Sequence, residues 1–281
     1  MKSLTKYLNE KLIIFPSQVN EKLVIFPSQV DEKGSVFPSQ VNEKLIINKN
    51  YNDPYTCVPA SWEELRKIIE DRYDKLGPGT KQKPIDFNDV DVSNIDSFYN
   101  KHYEIGIFEK TKFEYIDRLY WNVSNIKDMG YMFFGCEQLK SIGDISNWDV
   151  SRVENMRYMF QGCTQLKSVD LSNWNVSKVE NMDSIFSDCY HLKSVGDLSN
   201  WNVSNAENIS SMFFKCKQLK SVGDLSNWNV SKVENINSMF ASCEQLKSVG
   251  NLSNWNVSNV KYMSSMFNKS GITNIPKWYK E

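Results

Sequence analysis

The chain is poor in the groups on which most enzymes and nucleic-acid binders depend. Of its 281 residues only two are histidine, His102 and His191, and only five of its 33 basic side chains are arginine: Arg66, Arg72, Arg118, Arg152 and Arg157. So few guanidinium groups, in a chain of net charge −1, remove most bidentate readers of phosphate and base edges, and no nucleic-acid partner is expected. No CxxC pair exists, and neither histidine has a serine, cysteine or carboxylate constellation around it in sequence. No enzyme activity, catalytic residue, metal or cofactor is expected.

Long apolar runs are absent too. The opening MKSLTKYLNEKLIIF is interrupted by Glu10 and Lys11, so neither a signal peptide nor a membrane span is expected. That points to cytosolic synthesis, with the six cysteines free. Cys57 reads as an incidental thiol before a helix.

What the chain has in abundance is repetition. LKSVGDLSNWNVS stands at 192–204 and again, unaltered, at 219–231; a near-copy at 246–258 differs only in Asn251. Trp121, Trp148, Trp174, Trp201, Trp228 and Trp255 recur every 26 or 27 residues, and Cys136, Cys163, Cys189, Cys216 and Cys243 keep step with them. The one short interval coincides with KSVDLS at 167–172, which lacks the glycine of KSVGDLS. Such a period marks stacked coils, each too small to bury its own apolar edge.

Within one coil, Val169 and Leu171 alternate with Ser168, Asp170 and Ser172, which predicts a short strand. Trp174, Val176 and Val179 continue inward. Met182, Ile185, Phe186 and Cys189 follow i, i+3, i+4, i+7 spacing, which predicts a short helix with Asn181 as its N-cap; Asp128, Asn155, Asn208 and Asn235 hold the same slot in other coils. The tryptophan and cysteine columns are expected in the core. The recurring NVS matches a glycosylation sequon at Asn122, Asn175, Asn202, Asn229 and Asn256, but Asp149 fills the same slot, and an Asx-turn accounts for both residues.

DLSNWNVSKVENMDSIFSDC resembles the 26-residue surface-protein repeat of the BspA-like leucine-rich-repeat family, over about 121–270, and FNDVDVSNIDSFY at 87–99 resembles that family's first coil. The resemblance implies an α/β solenoid: a leucine-rich-repeat-like right-handed stack of 26–27-residue coils (strand, turn, short helix) with a parallel β-sheet and terminal caps. It also implies a non-enzymatic protein-binding or adhesion module at a bacterial, phage or viral surface, whose partner is a protein or cell-surface ligand. The competing role is a structural virion or assembly component acting as a rigid spacer.

Four regions are expected. Residues 1–50 form an arm in which EKLIIFPSQVN and its variants recur every 11 residues from Glu10, with Pro in mid-unit breaking any long helix. Residues 51–118 form a capping region with a helix at about 61–76, announced by the Ser61/Glu64 capping box, the apolar face Leu65, Ile68, Ile69 and Leu76, and the stop Gly77-Pro78-Gly79. Residues 119–270 form the solenoid and 271–281 the C-terminal cap, with Ile272, Ile275 and Trp278 facing the stack.

Two surfaces are candidate contact sites. The copies differ most at Tyr131, Tyr158, Ser184, Ser211 and Ser238, and at Phe134, Gln161, Ser187, Phe214 and Ala241. Tyr131, Phe134, Tyr158 and Phe214 are the expected anchors, because exposed aromatics dominate interface energetics. The alternative is the uniform face carrying Lys140, Lys167, Lys193, Lys220 and Lys247 beside Asp144, Asp170, Asp197 and Asp224, where opposite charges are expected to offset each other.

Overall fold

The computed structural model describes residues 57–280; the 11-residue repeats lie outside them. Six coils, each beginning at a tryptophan, stack in register behind a degenerate first turn of chain. Two columns of parallel bridges mark the stacking. One runs Ser97, Asp128, Asn155, Asn181, Asn208, Asn235, Tyr262, and the other joins Ser168, Ser194 and Ser221, with Tyr115 paired to Ser141.

The expected strands and short helices are not what the coils contain. Each coil pairs with its neighbour by isolated bridges rather than a continuous parallel sheet, and no helix forms at 182–189. In a helix the amides would point along the axis to i−4. Here those of Met182, Ser184, Phe186 and Asp188 point sideways, to the carbonyls of Asn208, Ser210, Met212 and Phe214 in the next coil, at 2.8 to 2.9 Å. Bonds from Ser187 to Ser184 and from Cys189 to Phe186 close four-residue turns between them. Positive φ at Ser184 (55°) and Asp188 (60°) excludes the helix outright. The asparagine slot is an Asx-turn instead of a helix cap: Asn181 Oδ1 accepts from the Asp183 amide at 3.0 Å, and Asn155, Asn208 and Asn235 do likewise two residues on. The NVS slot is also an Asx-turn, Asp149 included.

The core is a set of columns. Trp148 stacks on Trp174 and Trp201 on Trp228. Each of these indoles donates to a carbonyl of the preceding coil, as Trp201 does to Leu171 at 3.0 Å, so the row is interior and its N–H is satisfied. Phe133, Phe160, Phe186, Phe213, Phe240 and Phe267 form a second column with successive centroids 5.2 to 6.0 Å apart. Beside it the five buried thiols each donate to a phenylalanine carbonyl one coil back, such as Cys216 to Phe186 at 3.0 Å. Burial pushes the Cys189 and Cys216 thiols well up, and Cys243 to about 12.

The helix α1, Trp62–Leu76, starts at Ser61, whose Oγ accepts from the Glu64 amide, and stops at Gly77 with φ 72°. Leu65 and Ile69 are fully buried, whereas Leu76, expected on the same face, is 56% exposed because it sits in the last turn beside the glycine stop. A hairpin of β1 (Tyr99–Asn100) and β2 (Ile105–Gly106) interrupts the degenerate coil. At the far end Trp278 continues the tryptophan column on Trp255 and donates to Leu252 at 2.8 Å. Ile272 is buried, but Ile275, expected inward, is 40% exposed next to a Pro276 that takes the interior place.

Candidate functional site

Three of the four expected aromatic anchors meet. Tyr131 lies 4.8 Å from Tyr158 and 5.3 Å from Phe134 between ring centroids, and Phe134 is 6.4 Å from Tyr158. Phe214 stands apart, two coils beyond Gln161 in the Phe134 column, with the Lys215 ammonium 4.7 Å from its ring centroid. All four side chains are half-buried rather than exposed, because each leans on its neighbours in the stack of turns.

Tyr99 and Arg157 complete the cluster. Tyr99 stacks on Tyr131 at 5.2 Å, and the Arg157 guanidinium lies 5.3 Å and 5.4 Å from the Tyr99 and Tyr131 centroids, donating to the Tyr99 hydroxyl at 3.2 Å. Arg157 Nε is buried with no hydrogen-bond partner. Sequence reasoning missed both residues. Arg157 shares its slot with Gly130, Asp183, Ser210, Asn237 and Ser264, so the criterion of variation among copies would have found it had that column been included. Tyr99 is delivered by the hairpin, which no repeat copy foreshadows. Burial and the Asp183 carboxylate push the Tyr158 phenol up to about 12, and burial raises Tyr131, so both are neutral hydroxyls near pH 7. A groove of about 660 Å³ runs beside the cluster, lined in part by Tyr99, Lys127, Glu154, Arg157 and Glu180.

The backbone under the two tyrosines is the unusual feature. Tyr131 and Tyr158 have φ of 57° and 59°, in the left-handed region that bulky side chains avoid.

The lysine and aspartate columns do not offset one another as expected. Among the described residues no ion pair joins them. Lys140 pairs with Glu114 at 2.6 Å and Asp144 with Arg118 at 2.8 Å, Lys247 donates to the Glu244 carbonyl at 3.2 Å, and Lys167, Lys193 and Lys220 are exposed. The aspartates work inside the scaffold. Asp197 Oδ1 accepts from the amide and hydroxyl of Ser199, and the Ser199 hydroxyl oxygen accepts from the Asp224 amide one coil on, at 2.8 Å. A side chain at Gly223 would overlap the Asp197 carboxylate, which explains the glycine of KSVGDLS and its φ of 89°. Asp170 and Asp224 repeat the bracket with Ser172 and Ser226.

No helix among the described residues is long and apolar enough to cross a membrane. No curated protein matches the chain. Among solved structures, a leucine-rich repeat protein from Eubacterium ventriosum ATCC 27560 is similar, with 20% identity and a TM-score of 0.37 over 67% of this chain. The match spans 44% of that protein's length. The repeat solenoid rests on the ladders and columns above. Residues 105–222 and 193–279 both match the family described as "Mycoplasma protein of unknown function, DUF285", and together they cover more than half of the sequence. The chain belongs to that family.

Proposed function

We propose that the protein is a non-enzymatic binding module that contacts a protein or cell-surface partner through the Tyr131, Phe134 and Tyr158 cluster, with Tyr99 and Arg157 as its floor and Phe214 as an outlying contact. The observation that carries this reading is the pair of tyrosines at positive φ. Four other coils hold serine in the same slot at φ 51° to 57°, so the scaffold does not need an aromatic there. A strained side chain that the fold does not require is a sign of selection for contact. The resemblance of the repeat to BspA-like surface proteins supports a role in adhesion. The aspartate column is absorbed by bonds between coils, which leaves the uniform lysine face with less to offer a specific partner.

The test is a comparison of captures from a host-cell surface extract. Wild-type protein, a Tyr131→Ser/Phe134→Ser/Tyr158→Ser variant and a Lys167→Ala/Lys193→Ala/Lys220→Ala variant are used as bait. The aromatic variant is expected to lose the captured species and the lysine variant to keep them; the reverse ranking overturns the reading. Unchanged near-ultraviolet signal from the tryptophans shows that the aromatic variant keeps its core.

A further inference from the structure

The two edges of the stack are chemically different. Along the turns that follow the asparagine ladder, the carbonyls of one set of residues face the preceding coil and the amides of the alternate set face the following one, whereas at the ladder itself the amides of Glu180, Glu207, Glu234 and Lys261 point back to the preceding coil. Ile236, Ser238, Phe240 and Ser242 thus donate to the carbonyls of Tyr262, Ser264, Met266 and Asn268 at 2.8 to 2.9 Å. At the N-terminal edge the exposed row is therefore made of carbonyls, and it is closed. Arg66 from α1 donates through one nitrogen to the carbonyls of Ile107 (2.8 Å), Glu109 (3.3 Å) and Gly106 (3.4 Å), and Trp62 Nε1 donates to that of Phe98 (3.2 Å).

At the C-terminal edge the row is made of amides. Met263, Ser265, Phe267 and Lys269 hold the donor positions, and none of these amides has a hydrogen-bond acceptor among the described residues. The apolar columns are already covered there. Trp278 stacks on Trp255 at 6.3 Å, and the Tyr279 ring lies edge-on against Phe267 at 5.1 Å. What remains is polar and positive. From Gln245 to Lys280 the sequence holds five lysines and no Asp or Glu, and Lys269, Lys277 and Lys280 are exposed at this end.

We propose that this edge docks an acidic, extended segment of a partner polypeptide, which supplies a carbonyl at every second residue to the four amides and carboxylates to the lysines. The five coil-to-coil contacts within the molecule show the geometry, and the charge selects the occupant. A second copy of the chain does not fit. Tail against tail sets donors against donors, and head against tail meets carbonyls that Arg66 and Trp62 already hold. Because the apolar columns are capped, the attachment rests on backbone pairing and charge, so it weakens with salt.

The probe is a synthetic peptide of residues 234–244, the segment whose carbonyls fill the equivalent edge two coils earlier, at Ile209, Ser211, Phe213 and Lys215. It carries Ala in place of Phe240, since Tyr279 occupies that ring's position, and Ser in place of Cys243. With the full chain and saturating peptide at low salt, amide hydrogen exchange at Met263, Ser265, Phe267 and Lys269 is expected to slow by about tenfold or more, as occupied hydrogen bonds require. The protection is expected to vanish with a peptide whose two glutamates are lysine, and in a Lys269→Glu/Lys277→Glu/Lys280→Glu chain whose other exchange rates are unchanged. Unaltered exchange at the four amides, equal protection by the lysine peptide, or a dimer in sedimentation equilibrium without peptide overturns the proposal.

Discussion

At the turn that follows the asparagine ladder, the first two coils and the next four meet the same backbone with different side chains. Tyr131 and Tyr158 stand at φ 57° and 59°, and Ser184, Ser211, Ser238 and Ser265 at φ 51° to 57°. Around the tyrosines the neighbouring slots also change: Arg157 lies between rings, and Tyr99 arrives from the β1–β2 hairpin. Around the serines the slots hold short polar groups bonded within the ladder, such as Ser210, whose hydroxyl donates to Asp183 and Asn208. The phenylalanine column passes through both regions without a break. Stacking is thus indifferent to what the turns carry outside, and the turns are free to differ.

The strongest check of that indifference is in the core. Trp148→Ala in the tyrosine region and Trp201→Ala in the serine region should each lose about 3–5 kcal/mol of unfolding free energy, because both empty an equivalent buried slot and orphan an equivalent carbonyl. Denaturant titration measures both; a difference of more than about 1.5 kcal/mol, the cost of one hydrogen bond, would mean that the regions differ inside as well as out. Next in size is Arg157→Met, which removes the guanidinium between Tyr99 and Tyr131 and should cost about 1–2 kcal/mol, typical of a desolvated cation–π contact. No loss on denaturation would show that the ring cluster holds itself together.

Exchanging the side chains comes third. Ser211→Tyr should destabilise by about 1–2 kcal/mol through backbone strain without neighbouring rings to receive it. Tyr131→Ser should be within about 1 kcal/mol of wild type, since relief of strain offsets the lost stack on Tyr99. Equal penalties in both directions would remove the argument that the tyrosines are there for contact.

The smallest effect is common to both regions. Side-chain bonds from Ser146, Ser199 and Ser226 hold the carboxyls of Asp144, Asp197 and Asp224 below the usual range. A folded value below the unfolded one, about 3.9, gives a contribution that is complete above that pH and disappears as pH falls through the depressed value. The melting temperature should accordingly drop only below about pH 4, and Asp197→Asn should shrink that drop by giving up a comparable amount of stability at pH 7, where the wild-type carboxylate is charged. A midpoint of acid loss above pH 5 would assign it to other groups.

Much of this was legible in the residues. The tryptophan period gave the stack, and the Asp149 substitution in NVS gave the Asx-turn. The capping box at Ser61 gave α1 its start. The coil helices were misread for a definite reason. Successive four-residue turns bring apolar side chains back inward at the same 3–4 spacing as a helix, so Met182, Ile185, Phe186 and Cys189 fit both. The clue that separates them was present: Gly135 and Gly162 fill the slot that Asp188, Lys215 and Ser242 hold, and all five have positive φ. Glycine in two copies of a supposed helix interior argues for a left-handed residue in all of them. Arg66 over the first carbonyl row had no sequence signal, because an end cap occurs once in a molecule whose other features are read by recurrence.

The verbatim segment at 192–204 and 219–231 has a consequence for length. Excising residues 201–227 would join Asn200 to Trp228, and every amide of the third coil would meet a carbonyl equivalent to the one it lost. Insertion of a further copy is equally silent. The distance between the helix-capped head and the lysine-rich tail can therefore be adjusted in steps of one coil, about 4.8 Å each, with the backbone ladder kept and only surface pairs such as Lys215–Asp188 exchanged. Such a chain behaves as a ruler whose graduations are set by gene duplication, and a family built on it can vary its reach faster than it varies its chemistry.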